Sequence, residues 1–246
     1  MNPARLHALL IAAILCLGLA SAAAEVKASV AEWLATPIAA SYGGIGPELL
    51  DLGARARSLG VPERLLVERL DEGALKRVPP PQLAMVIGQD IGRFATVLAL
   101  IVPNGALSED HAALSSLLRQ GAILLRAGFQ DSELASIIAK ARSGAGGRNK
   151  TRPTTDLAAR AFNAAAVSLD ASIRFGLSPA SRLSLGEAMA ASILPELRFD
   201  AVLSLLTRAR GLGLQPDATV AILANELEKG ASIDALDREV SRRAAR

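Results

Sequence analysis

Asp90 and Arg93 stand in the middle of the most apolar stretch of the chain, which runs from Leu83 to Val102. Three residues apart, they share one face of a helix and can pair there. Gly88 and Gly92 would let another helix approach that stretch closely. A polar site inside a helical bundle is one use of such a pair; a structural ion pair is the simpler use and the expected one. Acidic neighbours recur at Asp71 and Glu72 and at Glu226 and Glu228. Glycoside cleavage needs two such carboxyls, but at a separation in space that the sequence does not reveal. His111 sits beside Glu109 and Asp110 at an early helix position, where capping or solvation accounts for it. As the one histidine beyond His7, it rules out a His-rich zinc site, and a Ser-His-Asp arrangement would depend on it alone. Gly43-Gly44-Ile45-Gly46 is glycine-rich with no strand predicted before it, and the chain lacks a P-loop and a dinucleotide fingerprint. No catalytic, cofactor-binding or metal-binding set is expected.

The first residues form a separate unit. Arg5, the apolar run Leu9 to Ala20 and the small residues Ser21-Ala22-Ala23-Ala24 read as a secretory signal peptide over 1–24, with cleavage before Glu25. Cys16 follows the bulky Leu15, where a lipoprotein signal wants a small residue. The expected location is therefore outside the cytoplasm, periplasmic or extracellular if the producer is bacterial. Removing 1–24 leaves 26 basic and 24 acidic side chains and no cysteine. A binder of nucleic acid concentrates basic residues on one stripe; here they are mixed with acids along most of the chain, and nucleic acid is discounted. Without cysteine the mature chain must hold itself together by its core.

The phrases Arg55-Ala56-Arg57-Ser58-Leu59-Gly60-Val61-Pro62-Glu63 and Arg208-Ala209-Arg210-Gly211-Leu212-Gly213-Leu214-Gln215-Pro216-Asp217 nearly repeat. Glycine just past a helix with an apolar residue after it is a left-handed cap, and proline with an acid suits the next helix start, so the phrase predicts a helical hairpin. Weaker copies fall at Gly128 and Gly176; the four glycines are 68, 48 and 37 residues apart, too irregular for a solenoid of fixed period. Resemblance between the first and last copies continues to Glu72-Gly73 and Lys229-Gly230, with the second four residues longer there. The turn resembles one in uncharacterised exported bacterial helical proteins, in which a Gly-Val-Pro-Pro-Glu-like sequence joins two helices. This chain has a single proline in Gly60-Val61-Pro62-Glu63, and the resemblance implies no active site.

A short helix around Ala31 to Leu34 is followed by Ser41 to Pro47, expected as a flexible connection, with Trp33 and Tyr42 sealing the end of a core. Apolar periodicity predicts helices near 48–59, 62–72, 82–101, 108–127 with Ser108 as cap, 132–142, 156–175, 179–193, 197–211, 216–229 and 232–244. Helix 82–101 is expected to be a core helix, because each charge at a membrane centre costs about 2.5 to 3.5 kcal/mol. Residues 143–155 are rich in glycine and basic side chains and mark the expected boundary between lobes 25–142 and 156–246. The fold class is all-α: antiparallel helical hairpins in an irregular bundle or short superhelix. The expected role is a non-catalytic exported interaction or scaffold module for an unknown envelope protein. The alternatives are peripheral membrane contact through the basic linker and the C-terminal Arg238, Arg242, Arg243 and Arg246, or a carboxylate-dependent hydrolase.

Overall fold

A computed structural model describes residues 29–102, 111–144 and 153–245. The leader 1–24, the Ser108 cap, the basic residues Arg148, Lys150 and Arg152, and Arg246 lie outside the described residues. The described residues contain no strand, and the all-α class holds. Among the described residues eleven α-helices follow one another: α1 (Val30–Leu34), α2 (Gly46–Ser58), α3 (Arg64–Leu75), α4 (Pro80–Ile101), α5 (His111–Arg126), α6 (Asp131–Ser143), α7 (Thr154–Phe175), α8 (Pro179–Ala191), α9 (Asp200–Gly211), α10 (Pro216–Glu228) and α11 (Ile233–Ala244).

The segment expected as a flexible connection is instead a 3-10 helix, Pro37–Ile45, that runs straight into α2. Two aromatic side chains hold it. Tyr42 is buried and its hydroxyl donates to the Val78 carbonyl at 2.9 Å. Trp33, also buried, lies with its ring 5.8 Å from that of Tyr42 and donates from Nε1 to Asp71 Oδ1 at 2.8 Å. Both seal the end of the core, as their apolar bodies and polar tips suit them to do.

Left-handed glycines end the helices where the repeated phrase places them: φ is +73° at Gly60, +98° at Gly128, +69° at Gly176 and +84° at Gly213. After three of them the next amide reaches back to a carbonyl of the helix, Val61 to Ala56 at 2.9 Å, Phe129 to Leu124 at 3.1 Å and Leu214 to Ala209 at 3.0 Å. This satisfies carbonyls that a helix end leaves without partners. The end of the next helix corrects the alignment of the two outer copies. Gly73 lies inside α3, where an added Cβ would meet Leu83 Cδ1 at 2.4 Å, so it serves the close packing of α3 on α4. The counterpart of Gly230 (φ +81°) is Arg77, whose φ is 54° and whose neighbour Val78 donates to the Gly73 carbonyl at 2.9 Å. Gly213 and Gly230 then both follow Gly60 and Arg77 by 153 residues, and the four-residue mismatch disappears. At the same offset the buried Leu49, Ala56, Val67, Leu70, Leu83 and Ile87 become the buried Val202, Ala209, Val220, Leu223, Leu236 and Val240. The unit from α2 to the start of α4 is thus duplicated as α9 to α11.

The turns do not all make hairpins. α7 packs extensively on α8 across Gly176 and α9 packs more lightly on α10 across Gly213, whereas α2 with α3 and α5 with α6 share little surface, so Gly60 and Gly128 are corners. Helices also pack on the one two further on, as α2 does on α4, α4 on α6, α5 on α7, α6 on α8 and α8 on α10. One cluster of buried side chains extends from Val30 to Val240, on both sides of the 143–155 segment. Small residues bring backbones together within it: a Cβ on Gly121 of α5 would lie 2.6 Å from Val97 of α4 and 3.1 Å from Phe162 of α7. By length and apolarity α4 could cross a membrane, yet its stripe Leu83, Ile87, Ile91, Phe94, Val97 and Ile101 is buried in this cluster.

Arg160 of α7 is 3% exposed and ends α8. It donates to the carbonyls of Met189 (3.0 Å), Ala190 (2.8 Å), Ser192 (2.6 Å) and Leu194 (2.9 Å), and its guanidinium lies 4.9 Å from the Phe199 ring centroid. A planar fork of five donors suits the cluster of carbonyls at this helix end, of which Met189 also accepts from the Ser192 amide at 3.2 Å. Arg160→Ala should lower the unfolding free energy by about 3 kcal/mol or more, because several buried acceptors lose their donor at about 1 to 3 kcal/mol each. Arg77→Gly should instead raise stability by up to about 1 kcal/mol, and Gly213→Ala lower it by about 1 kcal/mol, through relief or imposition of the left-handed backbone. Urea midpoints at unchanged slope would measure all three.

Candidate functional site

The stripe of α4 that builds the core carries one acid. At the helical spacing of Leu83, Ile87, Ile91 and Phe94, Asp90 points inward, and its side chain is 2% exposed. A buried carboxylate stays charged only where cations and hydrogen bonds replace water. Three arginines from three helices do so. Arg93 of α4 donates from Nη1 to Oδ1 at 2.8 Å, and Arg126 from the last turn of α5 donates from Nη2 to the same oxygen at 2.7 Å. Arg69 of α3 places Nε 3.4 Å from Oδ2, an oxygen that accepts no hydrogen bond. Arg69 also donates to Glu72 at 2.6 Å, and Glu72 takes a second bond from Lys76 at 2.6 Å. One α3 to α5 tie flanks the group, Arg119 to Glu68 at 2.7 Å.

These side chains line a cleft of about 390 Å³ between α3, α4 and the end of α5, with Gln82 and Gln89 exposed along α4. Lys76 and then Arg69 hold the Glu72 carboxyl below the usual carboxylate range. The arginines supply positive charge and planar donor forks.

The predicted pair Asp90 and Arg93 is present, but as part of this larger group, and the expectation for its glycines is corrected. A Cβ on Gly88 would make only ordinary contact with Leu52 at 3.7 Å and one on Gly92 would meet nothing within 4 Å; close approach falls at Gly73 and Gly121 instead. Asp71 accepts from Trp33, Glu226 pairs with Lys229 at 2.7 Å, and Glu228 lies 3.8 Å from Lys140. His111 opens α5, and its side chain is outside the described residues. No group of three or more His, Cys, Asp or Glu that could hold a metal occurs among the described residues. Arg142, counted with the basic linker, reaches the carbonyls of Leu100 and Ile101 at 3.3 Å and so serves the end of α4. Arg242 and Arg243 both bind Glu239, at 2.6 and 2.9 Å, which keeps that carboxyl low and turns part of the basic C-terminus inward on its own helix.

Sequence reasoning missed Arg69 and Arg126, which join the group from other helices without any local signal. Arg160 was missed as well, although its place on the stripe Leu157, Ala161, Ala164 and Ala165 at helical spacing is a signal that could have found it.

Removing the central acid should matter more than removing any one arginine. Asp90→Ala should lower stability by about 3 to 5 kcal/mol, because it leaves buried cations uncompensated, and Arg126→Ala should cost clearly less, as its side chain is 44% exposed. Chemical denaturation checks both. The advantage of the parent over Glu72→Gln should be present at neutral pH and shrink as pH falls through the depressed folded value, below the ordinary Glu value of about 4.3. A pH series of thermal unfolding measures it. No protein-family model matches the chain, and no curated protein or solved structure does either.

Proposed function

We propose that this chain is a non-catalytic helical module of the cell envelope, exported by its N-terminal leader, that holds an acidic group of a partner in the arginine cleft. The observation that carries the reading is the convergence of Arg69, Arg93 and Arg126 on the buried Asp90, with Lys76 beside them on the same cleft. Guanidinium forks fixed in advance recognise carboxylate and phosphate oxygens at little ordering cost. The acids of the cleft are bound up in ion pairs, which suits binding better than proton transfer. Membrane contact through the C-terminus draws less support, since Arg242 and Arg243 are spent on Glu239.

A photo-crosslinking residue placed at the exposed Gln89 in cells of the native host should give a discrete adduct. Arg126→Glu should abolish that adduct, while the same crosslinker at the 96% exposed Leu197 should not reproduce it. An adduct at Gln89 that is indifferent to charge reversal, or no adduct at all, counts against the reading.

A further inference from the structure

We infer that the acidic group is a phosphomonoester in its dianionic form, held by Arg93 and Arg126 with Lys76 and Arg69 completing the charge. The inference rests on the proposed binding role of the cleft and names its ligand class. The cationic side chains lining it are Arg69, Lys76, Arg93 and Arg126 and the anionic ones are Glu72 and Asp90, an excess of two positive charges. A dianion neutralises that excess, whereas a single carboxylate leaves half of it. A phosphomonoester carries close to two negative charges above its second pKa of about 6, on three acceptor oxygens.

The donor geometry points the same way. Each guanidinium has five N–H groups, and Asp90 Oδ1 takes one bond from Arg93 and one from Arg126, whose side chains remain 29% and 44% exposed. Donors are left to face the cleft, and their planar arrangement matches phosphate oxygens two at a time. Asp90 is then a positioning residue: it orients the arginines and need not touch the ligand. The exposed amides of Gln82 and Gln89 are neutral donors for the ester side of the group. A volume of about 390 Å³ lies in the range of small-molecule sites, about 300 to 1,000 Å³.

The duplicated unit supplies an internal control. At the 153-residue offset the second copy keeps the apolar positions buried, yet Arg69, Glu72, Asp90 and Arg93 are replaced by Ile222, Asn225, Arg243 and Arg246. Arg243 spends its charge on Glu239. The three-helix unit therefore forms without the charged group, whose counterpart position Arg243 is exposed where Asp90 is buried and tied to α5.

Calorimetric titration of the purified chain at low ionic strength tests the assignment, with inorganic phosphate, glycerol 3-phosphate, succinate and acetate as probes. Phosphate and glycerol 3-phosphate should bind and compete with each other, and acetate should not displace them. Arg126→Gln and Lys76→Gln, both on well-exposed side chains, should each weaken binding about tenfold or more with the helical circular dichroism unchanged, while Arg238→Gln leaves it alone. Affinity should fall about tenfold between pH 7.5 and pH 5 as the phosphate takes up its second proton. Flotation with phosphatidylcholine vesicles containing phosphatidic acid or phosphatidylglycerol separates the sources: Arg126-dependent binding to phosphatidic acid alone places the phosphate on a lipid, and binding of soluble glycerol 3-phosphate only places it on a free ligand. Binding of succinate with the same dependence on Arg126, and none of phosphate, overturns the phosphomonoester while leaving the acid-binding cleft in place. Failure of every anion overturns both.

Discussion

Burying a carboxylate on the core face of an apolar helix is the constraint around which the N-terminal half is arranged. Asp90 cannot keep its charge in that place without cations, and no single helix can supply enough of them from the right directions. Arg93 comes from its own helix, Arg126 from α5 and Arg69 from α3, so one acid fixes the relative placement of three helices. The fixed geometry then has a second consequence: guanidiniums that answer to Asp90 on one side present their remaining donors to the cleft on the other. The packing requirement and the proposed binding site share the same group.

The C-terminal half solves a different problem with the same side-chain type. There the difficulty is the end of α8, whose last carbonyls face the interior next to Phe199 rather than water. Arg160 closes that end by giving its donors to four carbonyls, and its aliphatic stem lies among the small residues of α7. Bidentate contact of Arg182 Nη2 with both Glu133 oxygens at 2.9 Å, with its guanidinium 4.3 Å from the Phe129 ring centroid, joins α8 to α6. In a chain whose one cysteine is Cys16, arginines with several donors each take over cross-linking between helices.

Much of the fold was legible because helix ends are written in local chemistry. Gly60, Gly128, Gly176 and Gly213 adopt the left-handed backbone that only glycine reaches cheaply, and apolar spacing gave the stripes of α4, α9 and α10. Arg77 hid the duplication, since a non-glycine residue in that backbone carries no signature. The glycines of the 41–47 segment suggested freedom, but Tyr42 and Trp33 make tertiary bonds that override local preference. Which turns are hairpins and which are corners depends on where each apolar face finds its partner, and that is a property of the whole packing. For the site, Asp90 and Arg93 were readable as neighbours on one helix; Arg69 and Arg126 are 21 and 36 residues away from Asp90 and meet it only in three dimensions.

The account stands on Asp90 acting as the anchor of its arginines rather than merely lying near them. A double-mutant cycle between Asp90→Ala and Arg126→Ala, read as unfolding free energy in urea, measures that coupling directly. The account predicts an interaction of about 1 to 3 kcal/mol, with Arg126→Ala nearly neutral once Asp90 is gone. Effects that add within about 0.5 kcal/mol would contradict it, and with it the view that the cleft is held in shape by a single buried charge.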